Sequence, residues 1–215
     1  MHGFRVTRSR LQLWSVTFDN PPGNLVDPEM ILDLVDRLEH DRDVAVVVFQ
    51  SADADHFLGP YDMTRVADTP TAPGPTGLHP WLDLTVRLSR LPVVSIAVIR
   101  RASRGVGQEF ALACDLRFAS LERAAIDQPE VRARVVPGGG AIPRLPALIG
   151  RGRDQVALDH GDAEAALGQR ARAVLPRGAG AEDDHVIVTA QAHRYLRRLV
   201  MRSRSRSART SAAAR

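Results

Sequence analysis

The sequence predicts an α/β fold. An alternating strand-like segment near the start, short wholly apolar runs further on, and helical spacing between them follow one another down the chain. Residues 11–18 (LQLWSVTF) alternate and are rich in strand formers. The cluster Asp19-Asn20-Pro21-Pro22-Gly23 ends that strand as a turn. Asp27, Pro28 and Glu29 read as a helix start: a cap, a proline at the first helical position and an acid in the first turn. Residues 30–38 carry apolar side chains at helical spacing. Residues 44–49 (VAVVVF) form a continuous apolar run of strand length, as expected for a strand covered on both faces.

Residues 50–56 read as a loop and lead into a short motif over 57–63. Proline, threonine and glycine crowd residues 68–80, which predicts a mobile surface loop. A helix is expected over 81–91, and Pro92 opens an apolar strand over 93–99. Gly105 and Gly107 lead into a helix running through Cys114, and residues 116–119 form a short strand. A glycine turn at 137–140 precedes a helical run ending near Ile149. No repeat of fixed period is present. Beyond Arg151 the pattern weakens, with helical spacing over 155–173 and 189–201. The closing RSRSRSARTSAAAR is low-complexity and expected to be disordered.

The chain has 215 residues, enough for one domain with a substantial core, and 44% of them are hydrophobic. Aromatics are only 5%, so aliphatic and alanine packing is expected to fill most of the interior. All 29 basic residues are arginine, a bias attributable to codon composition. The net charge of +4 is concentrated near the end, where residues 194–215 hold many arginines and no acid. A basic nucleic-acid footprint on the core is not supported. The single cysteine, Cys114, excludes an internal disulfide framework and reads as a small core residue. No apolar stretch approaches the ~18–20 residues of a membrane span, and no secretory apolar region follows the N-terminus. A cytoplasmic protein is expected.

Three segments can carry chemistry. Arg104-Gly105-Val106-Gly107-Gln108-Glu109 follows an apolar strand and opens an apolar helix. Glycines there allow close approach to the backbone, and free N–H groups at a helix start can hold a negative oxygen. Glu109 lies one turn in. Read alone, the segment is equally a tight turn with an acid favoured by the helix dipole. Asp127-Gln128-Pro129-Glu130, followed by Pro137-Gly138-Gly139-Gly140, offers a second carboxylate; converging with Glu109 it would make an acid/base pair, and otherwise it is an exposed turn. Phe57-Leu58-Gly59-Pro60-Tyr61-Asp62-Met63 follows a strand, where α/β proteins place ligands, or is a plain connection. The seven histidines are scattered and form no HExxH or other tight ligand pair, so metal catalysis is not expected.

Taken in order, RDVAVVVFQSADADHFLGPYDM, SIAVIRRASRGVGQEFALACDLRFAS and DQPEVRARVVPGGGAIPRLPALIGRGR, with the helix start VDPEM, resemble the crotonase superfamily, the enoyl-CoA hydratase/isomerase family. The resemblance covers residues 11–153, between an N-terminal tail over 1–10 and a divergent, partly helical region over 154–201 with an Arg/Ser-rich tail over 202–215. It implies a spiral of ββα units with a helical C-terminal appendage. It also implies CoA thioester substrates, no metal and no cofactor beyond the CoA of the substrate, and homo-trimers or hexamers. It gives the backbone N–H groups of Tyr61 and Val106 as the oxyanion hole. Glu109 and Glu130 match the two hydratase glutamates, with Glu130 as proton donor and Glu109 as the base that orients water. Gly59, Gly105, Gly107, Pro129, Gly138 and Gly139 line the substrate site. Val106 stands where the family usually has glycine, keeping the N–H but adding a β-branched side chain. Tyr61 is larger than the common alanine and is expected to narrow the acyl channel. After Arg153 the resemblance is lost, which is read as a shifted reading frame or a degenerate C-terminus.

With both glutamates present, the expected reaction is addition of water to a 2-enoyl-CoA. An enoyl-CoA isomerase needs one acid and is the near alternative. A catalytically impaired acyl-CoA-binding member is another, and a binder of anionic surfaces through the arginine tail is a third.

Overall fold

The computed structural model describes residues 3–9, 12–40, 43–120 and 122–150. Its elements in order are β1 (Phe4–Arg8), β2 (Leu13–Phe18), α1 (Pro28–His40), β3 (Val46–Ser51), β4 (His56–Leu58), a 3-10 turn (Met63–Asp68), α2 (Pro80–Leu88), β5 (Val94–Ile99), β6 (Ala102–Arg104), α3 (Val106–Ala113), β7 (Leu116–Ala119), β8 (Ala125–Asp127), α4 (Pro129–Arg132) and α5 (Ala141–Ile149). The expected C-terminal appendage, the helical spacing over 155–173 and 189–201, and the 202–215 tail lie outside the described residues.

Two sheets alternate. The larger runs β1-β2-β3-β5-β7, and the smaller runs β4-β6-β8. Only β1 is antiparallel to its neighbour; every other pairing is parallel. Each strand of the large sheet from β3 onward is followed by a short strand of the small sheet and then by a helix: β3-β4-α2, β5-β6-α3 and β7-β8-α4. This is the ββα repetition that the crotonase resemblance implies.

Local chemistry explains the boundaries. Asp27 caps α1, its Oδ1 accepting the Met30 N–H at 2.8 Å. Pro80 and Pro129 open α2 and α4 at positions that need no N–H. Gly105 precedes α3 with φ +55°, a conformation that favours glycine.

The centre is more aromatic than the composition suggested. Phe18, Phe49, Phe57 and Phe110, from β2, β3, β4 and α3, are all buried. Phe49 and Phe110 meet edge to face at 4.9 Å, Phe18 meets Phe57 and Phe110 edge to face at 5.6 Å, and Phe18 stacks on Phe49 at 6.1 Å. These rings wedge α3 between the two sheets. A second cluster joins α3 to α5 through Leu112, Ala141, Leu145 and Ile149. Cys114 is buried, and burial pushes its thiol up to about 12, so it is an inert core residue.

The structure amends three expectations. The tail expected over 1–10 holds β1, whose Phe4 pairs opposite Phe18 and whose Arg8 guanidinium lies 4.8 Å over the Trp14 ring. The strand expected over 44–49 spans Val46–Ser51, with Val47 and Phe49 buried but Val46 and Val48 only half-buried, so its second face is partly covered. The loop expected to be mobile is tied to α2: buried Asp83 accepts the Thr76 N–H at 2.8 Å and the Thr76 hydroxyl at 2.6 Å. Arg87, one turn along α2, reaches Asp83 and carries on to Asp36 and Glu39 of α1.

Removing a ring from the Phe cluster leaves a cavity that the surrounding elements cannot close. Phe49→Ala is expected to cost about 3–5 kcal/mol in urea unfolding, and Val48→Ala, on the half-buried face, clearly less.

Candidate active site

The site begins where α3 meets the small sheet. Gly107, in the first turn of α3, sits against the Leu58 carbonyl at the end of β4; a Cβ there would overlap that carbonyl. This contact seats the start of α3 on the β4 exit and brings the 57–63 motif to the glycine segment. Beyond Leu58 the chain pairs with Val26: the Val26 N–H donates to the Pro60 carbonyl at 3.1 Å, and the Asp62 N–H to the Val26 carbonyl at 2.9 Å. Alternation in such a bridge turns the Tyr61 N–H to the opposite side. Val106 is the first residue of α3, and its N–H is one of the donors a helix cannot satisfy internally. No side chain caps that end. The Val106 side chain packs against the main core, and the Tyr61 hydroxyl is hydrogen-bonded to that of Thr69.

The two glutamates converge on the same region. Glu109, one turn into α3, is buried. Its Oε1 accepts the Gly139 N–H at 2.7 Å and the Ala141 N–H at 3.2 Å, and its Oε2 accepts the Trp81 indole N–H at 3.2 Å. Glu130, in α4, places its carboxylate against Gly105, where a Cβ would overlap Oε1. Its Oε2 is buried with no hydrogen-bond partner among the described residues.

Both carboxyls are held above the usual carboxylate range, for different reasons. Burial pushes Glu109 up, while the Ala141 and Gly139 amides, the Trp81 indole and the Arg144 guanidinium pull it back. Burial also raises Glu130; its own backbone N–H pulls it back, while the neighbouring Glu109 and Asp127 charges push it further up. Burial lowers the Arg144 guanidinium, and Glu109 opposes that shift. Arg144 donates to the Gly139 carbonyl at 3.0 Å and to the Thr85 carbonyl at 3.2 Å. Among the described residues, no group of three His, Cys, Asp or Glu is placed to hold a metal ion. No described helix is long and apolar enough to cross a membrane.

Other expected site residues fall into two groups. Gly138 is open, with nothing within 4 Å of where a Cβ would stand, and Pro129 starts α4 beside Glu130. Gly59, Gly105 and Gly139 donate their N–H groups within the protein, to Asn24, Asp127 and Glu109. Gly139 serves by its lack of a side chain, since a Cβ would overlap both the Trp81 indole and Glu109. Trp81, Thr85, Arg144 and Asp127 were not anticipated as site residues. Arg144 lies just past the glycine turn and was the most findable; Trp81 read only as an apolar helix residue.

A family model described as enoyl-CoA hydratase/isomerase matches residues 10–166. The chain belongs to the enoyl-CoA hydratase/isomerase family. The match runs past Arg153, where the resemblance had been read to stop. A candidate enoyl-CoA hydratase from Streptomyces avermitilis is similar at 38% identity over 81% of this chain and 73% of that one, with a TM-score of 0.64. Pseudomonas aeruginosa DspI is similar at 27% identity over 75% of this chain and 71% of its own, with a TM-score of 0.63. An enoyl-CoA hydratase from Bacillus anthracis shares the fold, at 23% identity over 76% of this chain and 66% of its own, with a TM-score of 0.66. The ββα architecture is thus that of crotonase-fold proteins.

Two outcomes follow. Gly107→Ala forces a methyl into backbone and is expected to cost about 1–3 kcal/mol in urea unfolding, whereas Gly138→Ala stays within about 0.5 kcal/mol. The folded protein holds the Glu130 proton more tightly than the unfolded chain does, so stability falls as pH rises from the ordinary value of 4.5 through the raised one. Glu130→Gln removes this loss, and its urea midpoint gains on the wild type's as pH is raised from about 4 to about 8.

Proposed function

We propose that the protein binds an acyl-CoA thioester and adds water to a 2-enoyl-CoA. The observation that supports this reading is the seating of Gly107 on the Leu58 carbonyl, which joins the 57–63 motif to the start of α3, the helix that carries Glu109. In the proposed mechanism both N–H groups donate to the thioester oxygen. That oxygen gains negative charge as the enolate forms, and loss of one such donor is typically worth about 2.7–4 kcal/mol.

The acids divide the proton work. Three donors favour the ionised form of Glu109 and leave a lone pair on Oε2 for water. Glu130 is desolvated and faces two other carboxylates, which favours its proton. Glu109 takes a proton from water as the oxygen bonds to Cβ, and Glu130 gives its proton to Cα as the enolate collapses. The cycle closes when the proton on Glu109 is exchanged through solvent for one on Glu130. No cofactor is needed beyond the CoA that the substrate carries, and assembly as a trimer or hexamer belongs to the same proposal.

A second reading, enoyl-CoA isomerisation, is favoured by one observation. Glu109 already accepts three hydrogen bonds, while Glu130 alone keeps an unpartnered oxygen. One acid can shuttle a proton between two carbons.

Assays of 2-enoyl-CoA hydration and 3-enoyl-CoA isomerisation separate the two. For a hydratase, Glu109→Gln and Glu130→Gln each lower kcat for hydration by about 10²–10⁴. Isomerisation that survives Glu109→Gln and is lost in Glu130→Gln establishes the one-acid reading. A folded wild-type protein that turns over neither substrate overturns both.

A further inference from the structure

Trp81 is the second residue of α2, and its side chain is buried. Its indole N–H is 3.2 Å from Glu109 Oε2 and is the one donor to that oxygen among the described residues. Thr85, one turn further along α2, donates its hydroxyl to the Gly139 carbonyl at 3.0 Å. The Gly139 N–H in turn donates to Glu109 Oε1. One face of α2 thus grips Glu109 twice, directly through Trp81 and indirectly through the Gly139 peptide. The fit is close enough that no side chain is possible at residue 139.

We propose that Trp81 is a positioning residue for Glu109: its indole N–H selects the carboxylate rotamer and leaves one lone pair of Oε2 free for water. The proposal rests on the two-acid reading of the site. An indole N–H only donates, so it orients a carboxylate without competing for the water's proton. A hydroxyl or amide at this place would accept as well as donate. Charged groups also face Glu109 from the other elements: Glu130 from α4 and Arg144 from α5. Neither donates to Oε2. Asp83 and Arg87 of α2 are engaged with Thr76, Asp36 and Glu39.

Trp81→Phe keeps the ring and deletes the donor. Oε2 then has no donor among the described residues, and Glu109 holds its proton more tightly. The activity of a base is lost when it is protonated, so the acid limb of the kcat–pH profile moves to higher pH. The expected shift is about one pH unit, which lowers kcat about tenfold at pH values well down the acid limb and leaves KM little changed. A residue that merely filled space would lower stability and leave the limb in place.

The chain has only two tryptophans, so the indole region of a proton–nitrogen correlation spectrum of the labelled full-length protein holds two signals. The signal that Trp81→Phe removes is Trp81. It should shift with pH along one titration curve, and Glu109→Gln should flatten that curve while the Trp14 signal is unchanged. A Trp81 signal that ignores pH, or titrates equally in Glu109→Gln, overturns the proposal. So does a folded Trp81→Phe protein with an unmoved acid limb. Absence of hydration by the wild type defeats the two-acid reading instead, and the indole titration still decides whether Trp81 holds Glu109.

Discussion

A carboxylate buried between helices has to be met by donors, and meeting Glu109 sets where α2, α3 and α5 lie relative to one another. Removing one partner from a buried charge typically costs about 3–5 kcal/mol, far more than most single contacts. Glu109 comes from α3, the indole from α2, and the two amides from the turn that opens α5. The Gly139 peptide is held from both sides. Its N–H goes to Glu109, and its carbonyl accepts from Thr85 and Arg144. The apolar cluster of Leu112, Ala141, Leu145 and Ile149 closes beneath this polar layer and joins α3 to α5 over the next turns. Burial supplies most of the adhesion there, while the polar layer decides the register.

The same arrangement makes two chemically similar groups unlike. Both acids are desolvated, and desolvation favours the protonated form of each. Three donors and a nearby guanidinium give back to Glu109 part of what burial takes, and its carboxyl still stands above the usual range. Glu130 has its own backbone N–H as its return, and the negative charge of Glu109 is one of its burdens. Stabilising the anion of one acid therefore helps keep the proton on the other. Pairs of titratable groups pushed apart in this way are how a site supplies an acid and a base at one pH.

Much of this was legible in the sequence because it is carried by local patterns. The helix start at Asp27-Pro28, the glycines ahead of α3 and the apolar runs of β3 and β5 are short-range signals, and each element formed at its signal, β3 two residues further on. The strands β6 and β8 were missed because three residues, Ala102–Arg104 and Ala125–Asp127, are too few for a period to show. They are strands only because β4, β6 and β8 lie side by side in the fold. Trp81 was missed for a related reason. Its partner is 28 positions away, and helical spacing says which face a residue lies on but not which polar atom its N–H meets. At Gly59, Gly105 and Gly139 the structure shows close approaches from within the protein. A glycine motif shows that something approaches closely, and here what approaches is the Gly23 carbonyl, Glu130, and Trp81 with Glu109.

Helix α3 ties the acids to the proposed oxyanion site through its own polarity. At its C-terminal end the buried Arg117 guanidinium donates to the carbonyls of Ala111, Leu112 and Cys114, so that end is capped by a cation. At its start no side chain caps the free N–H groups. A helix finished at one end and open at the other presents its positive pole to whatever occupies the space in front of Val106. Glu130 stands beside that pole, against Gly105. An ionised Glu130 would take up the field and repel a developing oxyanion. A protonated Glu130 does neither. Under the proposed mechanism the raised affinity of Glu130 for its proton thus serves twice, supplying the proton for Cα and leaving the pole of α3 to the thioester oxygen.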